Sequence, residues 1–140
     1  MHIPFGRIVV YGFLTYAVVF MLWTFLYSYG IASVLVWGQT ASVLNYVVVA
    51  LSVFFAARYV GISSLKDALV YGAGLACVHL VLDIIYITPA AGVEALLVPS
   101  TWLNYLLVFV TPLATVLYMR ATAGNQPPMT PGKIIEATPL

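Results

Sequence analysis

The sequence predicts an all-α integral membrane protein: four transmembrane helices forming two parallel, tandem-repeated helical hairpins, with both termini cytoplasmic. Three observations carry this reading. First, from Ile8 to Ala57 there is no Asp, Glu, Lys, Arg or His, and such a stretch suffices for two crossings because a spanning helix takes about 20 mostly apolar residues. Second, the 140-residue chain is 64% hydrophobic and only 6% charged, with a mean hydropathy of +1.08, whereas a soluble domain carries about 25% charged residues. Third, the two halves of the chain resemble each other.

Hydropathy places the spans at Ile8 to Tyr29, Ala41 to Ala57, Ala68 to Ile87 and Thr101 to Met119, the second of them barely long enough to cross. Met1 to Arg7 has the charge of a signal-peptide n-region. The apolar stretch behind it is too long for an h-region and ends in no A-x-A site, so it reads as a retained first helix. Between spans two and three, Gly61 is placed to end a helix in the left-handed conformation and Ser64 to cap the next, with Asp67 at its N3 position. Pro99 and Ser100 start span four. Pro112, inside that span, withholds one backbone donor, and Thr111 or Thr115 is expected to cover the carbonyl it frees.

The basic residues Arg7, Arg58, Lys66, Arg120 and Lys133 fall before span one, between spans two and three, or after span four. By the positive-inside rule both termini are cytoplasmic, in a plasma membrane of prokaryotic type, and Gly30 to Thr40 and Thr88 to Ser100 lie outside. Those outer connections are apolar, with Val34, Leu35, Val36 and Trp37 in one and Leu96, Leu97 and Val98 in the other, which suits the interface or a packing partner. Ala121 to Leu140, rich in Pro and Gly, reads as a cytoplasmic tail without helix, able to serve as a contact for other subunits.

An offset of sixty sets Val10-Tyr11-Gly12 on Val70-Tyr71-Gly72. After a one-residue deletion, Leu44-Asn45-Tyr46 falls on Leu103-Asn104-Tyr105. This pattern is that of a duplicated hairpin. Both copies run the same way through the membrane, so a pseudo-two-fold axis along its normal is expected to relate them.

The polar residues of the spans gather in one layer. Counted at about 1.5 Å per residue from the outer ends, Asn45, Asp83 and Asn104 lie at similar depth, with His79 one turn below Asp83. His79 and Asp83 share a helix face, within reach of a mutual hydrogen bond. On one reading they are a proton- or cation-responsive pair in an outward cavity, with Asn45 and Asn104 as neutral partners and Tyr86 at the mouth. On the other, Asp83 reaches water or headgroups and the asparagines hold helices together. A second constellation is a helix-packing face of small residues, Gly12, Gly72, Ala73, Ala76 and Cys77, on which another backbone can approach closely.

Several function classes are set aside. A net charge of +1 with scattered basic residues gives no footprint for nucleic acid. Cys77, the single cysteine, has no partner for a disulfide or CxxC site and reads as a small packing residue. One His and one carboxylate fall short of the three or four ligands zinc takes. Ser28, Ser42, Ser52 and Thr15 have no base on their helix face, so no catalytic residue is assigned. No cofactor is expected, His79 being the lone candidate for an axial haem or pigment ligand. The leading expectation is therefore a non-catalytic accessory or assembly subunit of a larger membrane complex, with the bilayer and other membrane proteins as partners. A homo-oligomeric transporter or channel using His79 and Asp83 is the alternative, and an enzyme acting on lipid is third.

Overall fold

The computed structural model describes residues 4–28 and 39–124, and all regular structure among them is helical. There are four long helices, α1 (Phe5–Ser28), α2 (Gln39–Val60), α3 (Leu65–Tyr86) and α6 (Pro99–Gly124), and the short helices α4 (Thr88–Ala91) and α5 (Glu94–Leu97) connect α3 to α6. Each long helix contains a stretch long and apolar enough to cross a membrane. The first and third long helices begin three residues before the hydropathy boundaries, and α2 runs 22 residues, of which the 18 from Val43–Val60 form the apolar stretch of membrane length. Helix α6 continues through Ala121 to Gly124, so the first residues of the expected tail are helical. Residues 29–38, which hold most of one apolar connection, and the remainder of the tail, 125–140, lie outside the described residues.

The turn between α2 and α3 follows from its sequence. Gly61 takes φ of 74°, its N–H donates to Arg58 O at 3.1 Å, and the Ile62 N–H donates to Ala57 O at 3.4 Å. These two bonds form a Schellman motif, which satisfies carbonyls at a helix end. Ser64 then caps α3, its hydroxyl oxygen accepting from the Asp67 N–H at 3.0 Å. Pro99 opens α6, and the helix runs on through Pro112. The neighbouring threonines do not cover the carbonyl of Val108 that Pro112 leaves without its helical donor. Thr111 Oγ1 donates to Leu107 O and Thr115 Oγ1 to Thr111 O, at 2.7 and 2.8 Å, because a helical threonine hydroxyl reaches its own fourth preceding carbonyl.

The bundle closes as a ring in the order α1, α2, α6, α3. Core positions recur every three or four residues: Val49, Val53, Ala57 and Val60 on α2; Ala68, Tyr71, Leu75 and His79 on α3; Tyr105, Val108 and Val116 on α6. That spacing is one stripe of each helix. The outward faces carry large apolar side chains such as Phe13, Met21, Leu51, Phe55, Ile85 and Leu106. In water such a surface would be a liability; on helices of this length it marks an integral membrane protein.

The ring order corrects the expected symmetry. A two-fold axis along the bundle carries each helix to the one diagonally opposite, which for α1 is the antiparallel α6. Helix α1 instead lies beside α3, and α2 beside α6. The two hairpins are therefore laid side by side.

The small residues divide between two surfaces. A Cβ on Gly72 would strike the backbone carbonyl of Phe109, and one on Gly12 would come within 2.8 Å of Val78. These glycines set the close approach of α3 to α6 and of α1 to α3. Ala76 is half-buried against the core. Ala73 and Cys77 lie about 100° further round the helix and are exposed, so Cys77 does not fill the core and the expected single packing face is two.

Candidate functional site

At the end of the bundle where α1 and α3 finish and α2 and α6 begin, the helices border a partly open cavity of about 680 Å³. Helix α1 contributes Tyr16, Phe20 and Trp23, α2 contributes Asn45 and Tyr46, α3 contributes Asp83, and α6 contributes Thr101 and Asn104. Four apolar spans here converge their polar groups on one space.

Asp83 is the centre of it. The Tyr16 hydroxyl donates to Oδ1 at 2.9 Å and the Tyr105 hydroxyl to Oδ2 at 2.6 Å. The donors come from α1 and α6, so the carboxylate ties three helices together. The shorter bond lies in the 2.5–2.7 Å range of O–H···O⁻ interactions. A carboxylate has about four acceptor positions, and these phenols fill two. Among the described residues no Lys, Arg or His is paired with Asp83, and neither Lys nor Arg lines the cavity.

The amides form a second chain. Trp23 Nε1 donates to Asn45 Oδ1 at 2.8 Å, and Asn45 Nδ2 donates to Asn104 Oδ1 at 2.9 Å. An indole N–H can only donate. It therefore fixes the orientation of Asn45, and Asn45 fixes that of Asn104.

Below the cavity the expected polar pair is not formed. His79 Nε2 is 3.0 Å from Thr15 Oγ1, and His79 is buried. The correction has a physical cause: α1 packs its own hydroxyls against this face of α3, so Thr15 meets His79, Tyr16 meets Asp83, and neither α3 side chain needs the other. The Tyr16 ring stands edge-on to His79, with centroids 5.5 Å apart. Tyr86 is not at the mouth; it lies half exposed on the outer face against Tyr16 and Phe20, in a shallow apolar crevice with Phe13 and Ala17. Beneath His79, the fully buried Leu75, Val108 and Val53 close the core.

The structure thus brings together Asp83, Asn45 and Asn104 around one cavity, sets His79 under it and leaves Tyr86 behind it. Tyr16, Trp23 and Tyr105 were not singled out from the sequence, although Tyr46 and Tyr105 each follow the asparagine of the repeated Leu-Asn-Tyr triplet. Among the described residues no cluster of three or more His, Cys, Asp or Glu could hold a metal ion. No known protein family, curated protein or solved structure matches the chain.

Proposed function

We propose that this protein is a small membrane transporter or channel that binds a cation at Asp83. The observation that carries the reading is an intramembrane carboxylate, half-buried, clamped by two phenols from different helices and facing a cavity with no basic partner among the described residues. An acidic group at membrane depth is costly and is kept for a function by default. A scaffold needs no such group. The accessory-subunit reading also loses one support, because Phe109 and Val78 of this same chain occupy the approach to Gly72 and Gly12.

Two further proposals fit this one. Asn45 and Asn104, equivalent in the repeat, meet across the seam between the hairpins, which supports a tandem duplication laid side by side. With basic residues on the opposite side, both termini are cytoplasmic and the cavity faces outward. Below the cavity His79 rests on the buried Leu75, Val108 and Val53, so passage through one copy calls for a helix rearrangement, and a homo-oligomer is the other route.

The test is cation uptake into liposomes holding the full chain. Asp83-dependent uptake, abolished by Asp83→Asn, is the expected result. Uptake and cation binding that are unchanged in Asp83→Asn refute the proposal, and co-purification with unlike membrane polypeptides in place of any transport restores the subunit reading.

A further inference from the structure

We infer that the ligand of this cavity is an organic ammonium compound carrying a neutral hydrogen-bond-accepting oxygen, an amino alcohol in chemical class; the inference rests on the cation-binding reading above.

The amide chain supplies the first reason. Because Trp23 can only donate, Asn45 must present Oδ1 to it and Nδ2 to Asn104, which then accepts through its own Oδ1. The Nδ2 of Asn104 is left pointing elsewhere, with no acceptor among the described residues. Asn104 lines the cavity. The chain of three residues therefore delivers a fixed N–H donor to the same space that holds the Asp83 carboxylate, and the two call for opposite features on one ligand.

Size and wall chemistry supply the second. At about 680 Å³ the cavity is far larger than the roughly 30 Å³ a water occupies in the liquid, and it falls within the range of about 300–1,000 Å³ of small-molecule sites. A bare metal ion or proton does not need it. Tyr16, Phe20, Trp23 and Tyr46 line it, and aromatic faces attract ammonium groups, quaternary ones included. The oxygen must be neutral: with no Lys or Arg in the lining, a carboxylate or phosphate at Asn104 would meet Asp83 with no counter-charge. The volume leaves room for a bulky substituent on nitrogen or oxygen, so a free solute and a lipid headgroup present the same chemistry.

The experiment is calorimetric titration of the full-length protein, delipidated in an uncharged detergent, with three matched probes and sodium chloride. Choline carries both features, propyltrimethylammonium lacks the oxygen, and dimethylbutanol is the uncharged carbon analogue. Choline is expected to bind about tenfold more tightly than propyltrimethylammonium, the worth of roughly one hydrogen bond, and dimethylbutanol not measurably. Asn104→Leu should bring the ratio between the two ammonium probes to about one, and Trp23→Phe, which frees the amides to turn, should move it the same way even if the leucine variant fails to fold. Equal binding of both ammonium probes to the native chain overturns the inference, as does Asp83-dependent binding of sodium alone; both leave the cation reading standing. If no cation binds in an Asp83-dependent manner, that reading falls as well. Repeating the choline titration in phosphatidylcholine and in phosphatidylglycerol vesicles assigns the source: loss of choline binding in the former only identifies a headgroup ligand, and equal binding in both identifies a free solute, each in keeping with the amino-alcohol class.

Discussion

If Asp83 is the joint of three helices, removing a single phenolic oxygen from it should be measurable in the stability of the whole bundle. Tyr105→Phe is the cleanest perturbation. The ring stays, Tyr105 is only 8% exposed, and the bond lost is the 2.6 Å one. Hydrogen bonds to charged groups contribute about 1.5–3 kcal/mol, and the short length and burial place this one toward the upper end, at about 2–3 kcal/mol. The Tyr16 bond, 2.9 Å long on a half-buried residue, belongs near the lower end, at about 1.5 kcal/mol. The assay is reversible unfolding in mixed micelles, run on Tyr105→Phe, Asp83→Leu and the double variant. Since phenol and carboxylate are direct partners, the cycle should show a coupling energy of about 1–3 kcal/mol. Tyr105→Phe costing under about 0.5 kcal/mol, equally in the native and the Asp83→Leu backgrounds, would refute the reasoning: the carboxylate would then be held by cavity water, and the phenol would be a bystander.

Two more predictions concern the frame that holds the site. Gly72→Ala should destabilise the bundle by about 1–3 kcal/mol, because the new methyl meets the carbonyl of Phe109 and backbone cannot step aside. Gly6→Ala, where a Cβ meets nothing, should gain up to about 1 kcal/mol from helix propensity; the same unfolding measurement on both variants checks the contrast. Tyr71→Phe should stabilise the protein by about 1 kcal/mol, read as a raised midpoint, because the Tyr71 hydroxyl is buried without a hydrogen-bond partner among the described residues and its removal ends an unmet desolvation cost.

The four-helix membrane fold was legible because it depends on properties the chain carries residue by residue. Uninterrupted apolarity over Ile8 to Ala57 requires spans, Gly61 and Ser64 are the residues a helix stop and start demand, and Asn45, Asp83 and Asn104 fall at one depth by counting. What could not be read was which helix stands beside which. In an ordinary amphipathic helix the polar face marks solvent and so reveals the buried stripe; here lipid and core are both apolar, and the stripe is hidden. Without it, His79 and Asp83 on one face looked like each other's partners, whereas their hydrogen bonds run to Thr15, Tyr16 and Tyr105 on two other helices. Tyrosine carries no mark of its role either: among ten of them, a phenol that donates to a buried carboxylate and one that sits at the membrane interface are the same residue type. Cys77 and Ala73 went astray for the same reason as the stripe: small-residue spacing finds a slim strip of helix but not the direction in which it looks.

The side-by-side arrangement of the hairpins explains why the site lies where it does. Tyr16, Trp23 and Asn45 come from the first hairpin, and Asp83, Asn104 and Tyr105 from the second; the Tyr16–Asp83 and Asn45–Asn104 bonds cross the seam, while the Trp23–Asn45 and Tyr105–Asp83 bonds each lie within one hairpin. The within-hairpin bonds orient one acceptor group in each half, and the seam bonds then bring the two halves into register. Asn45 and Asn104 fulfil that role from equivalent positions, while the positions equivalent to His79 and Asp83 in the first hairpin are Val19 and Trp23. The first hairpin carries apolar and aromatic groups at this depth, and the second holds the charge. Two identical hairpins would set two carboxylates against each other across the seam, whereas two divergent ones set an indole donor and a carboxylate acceptor around one cavity. The difference between the two hairpins at this depth therefore gives the cavity a single carboxylate, Asp83.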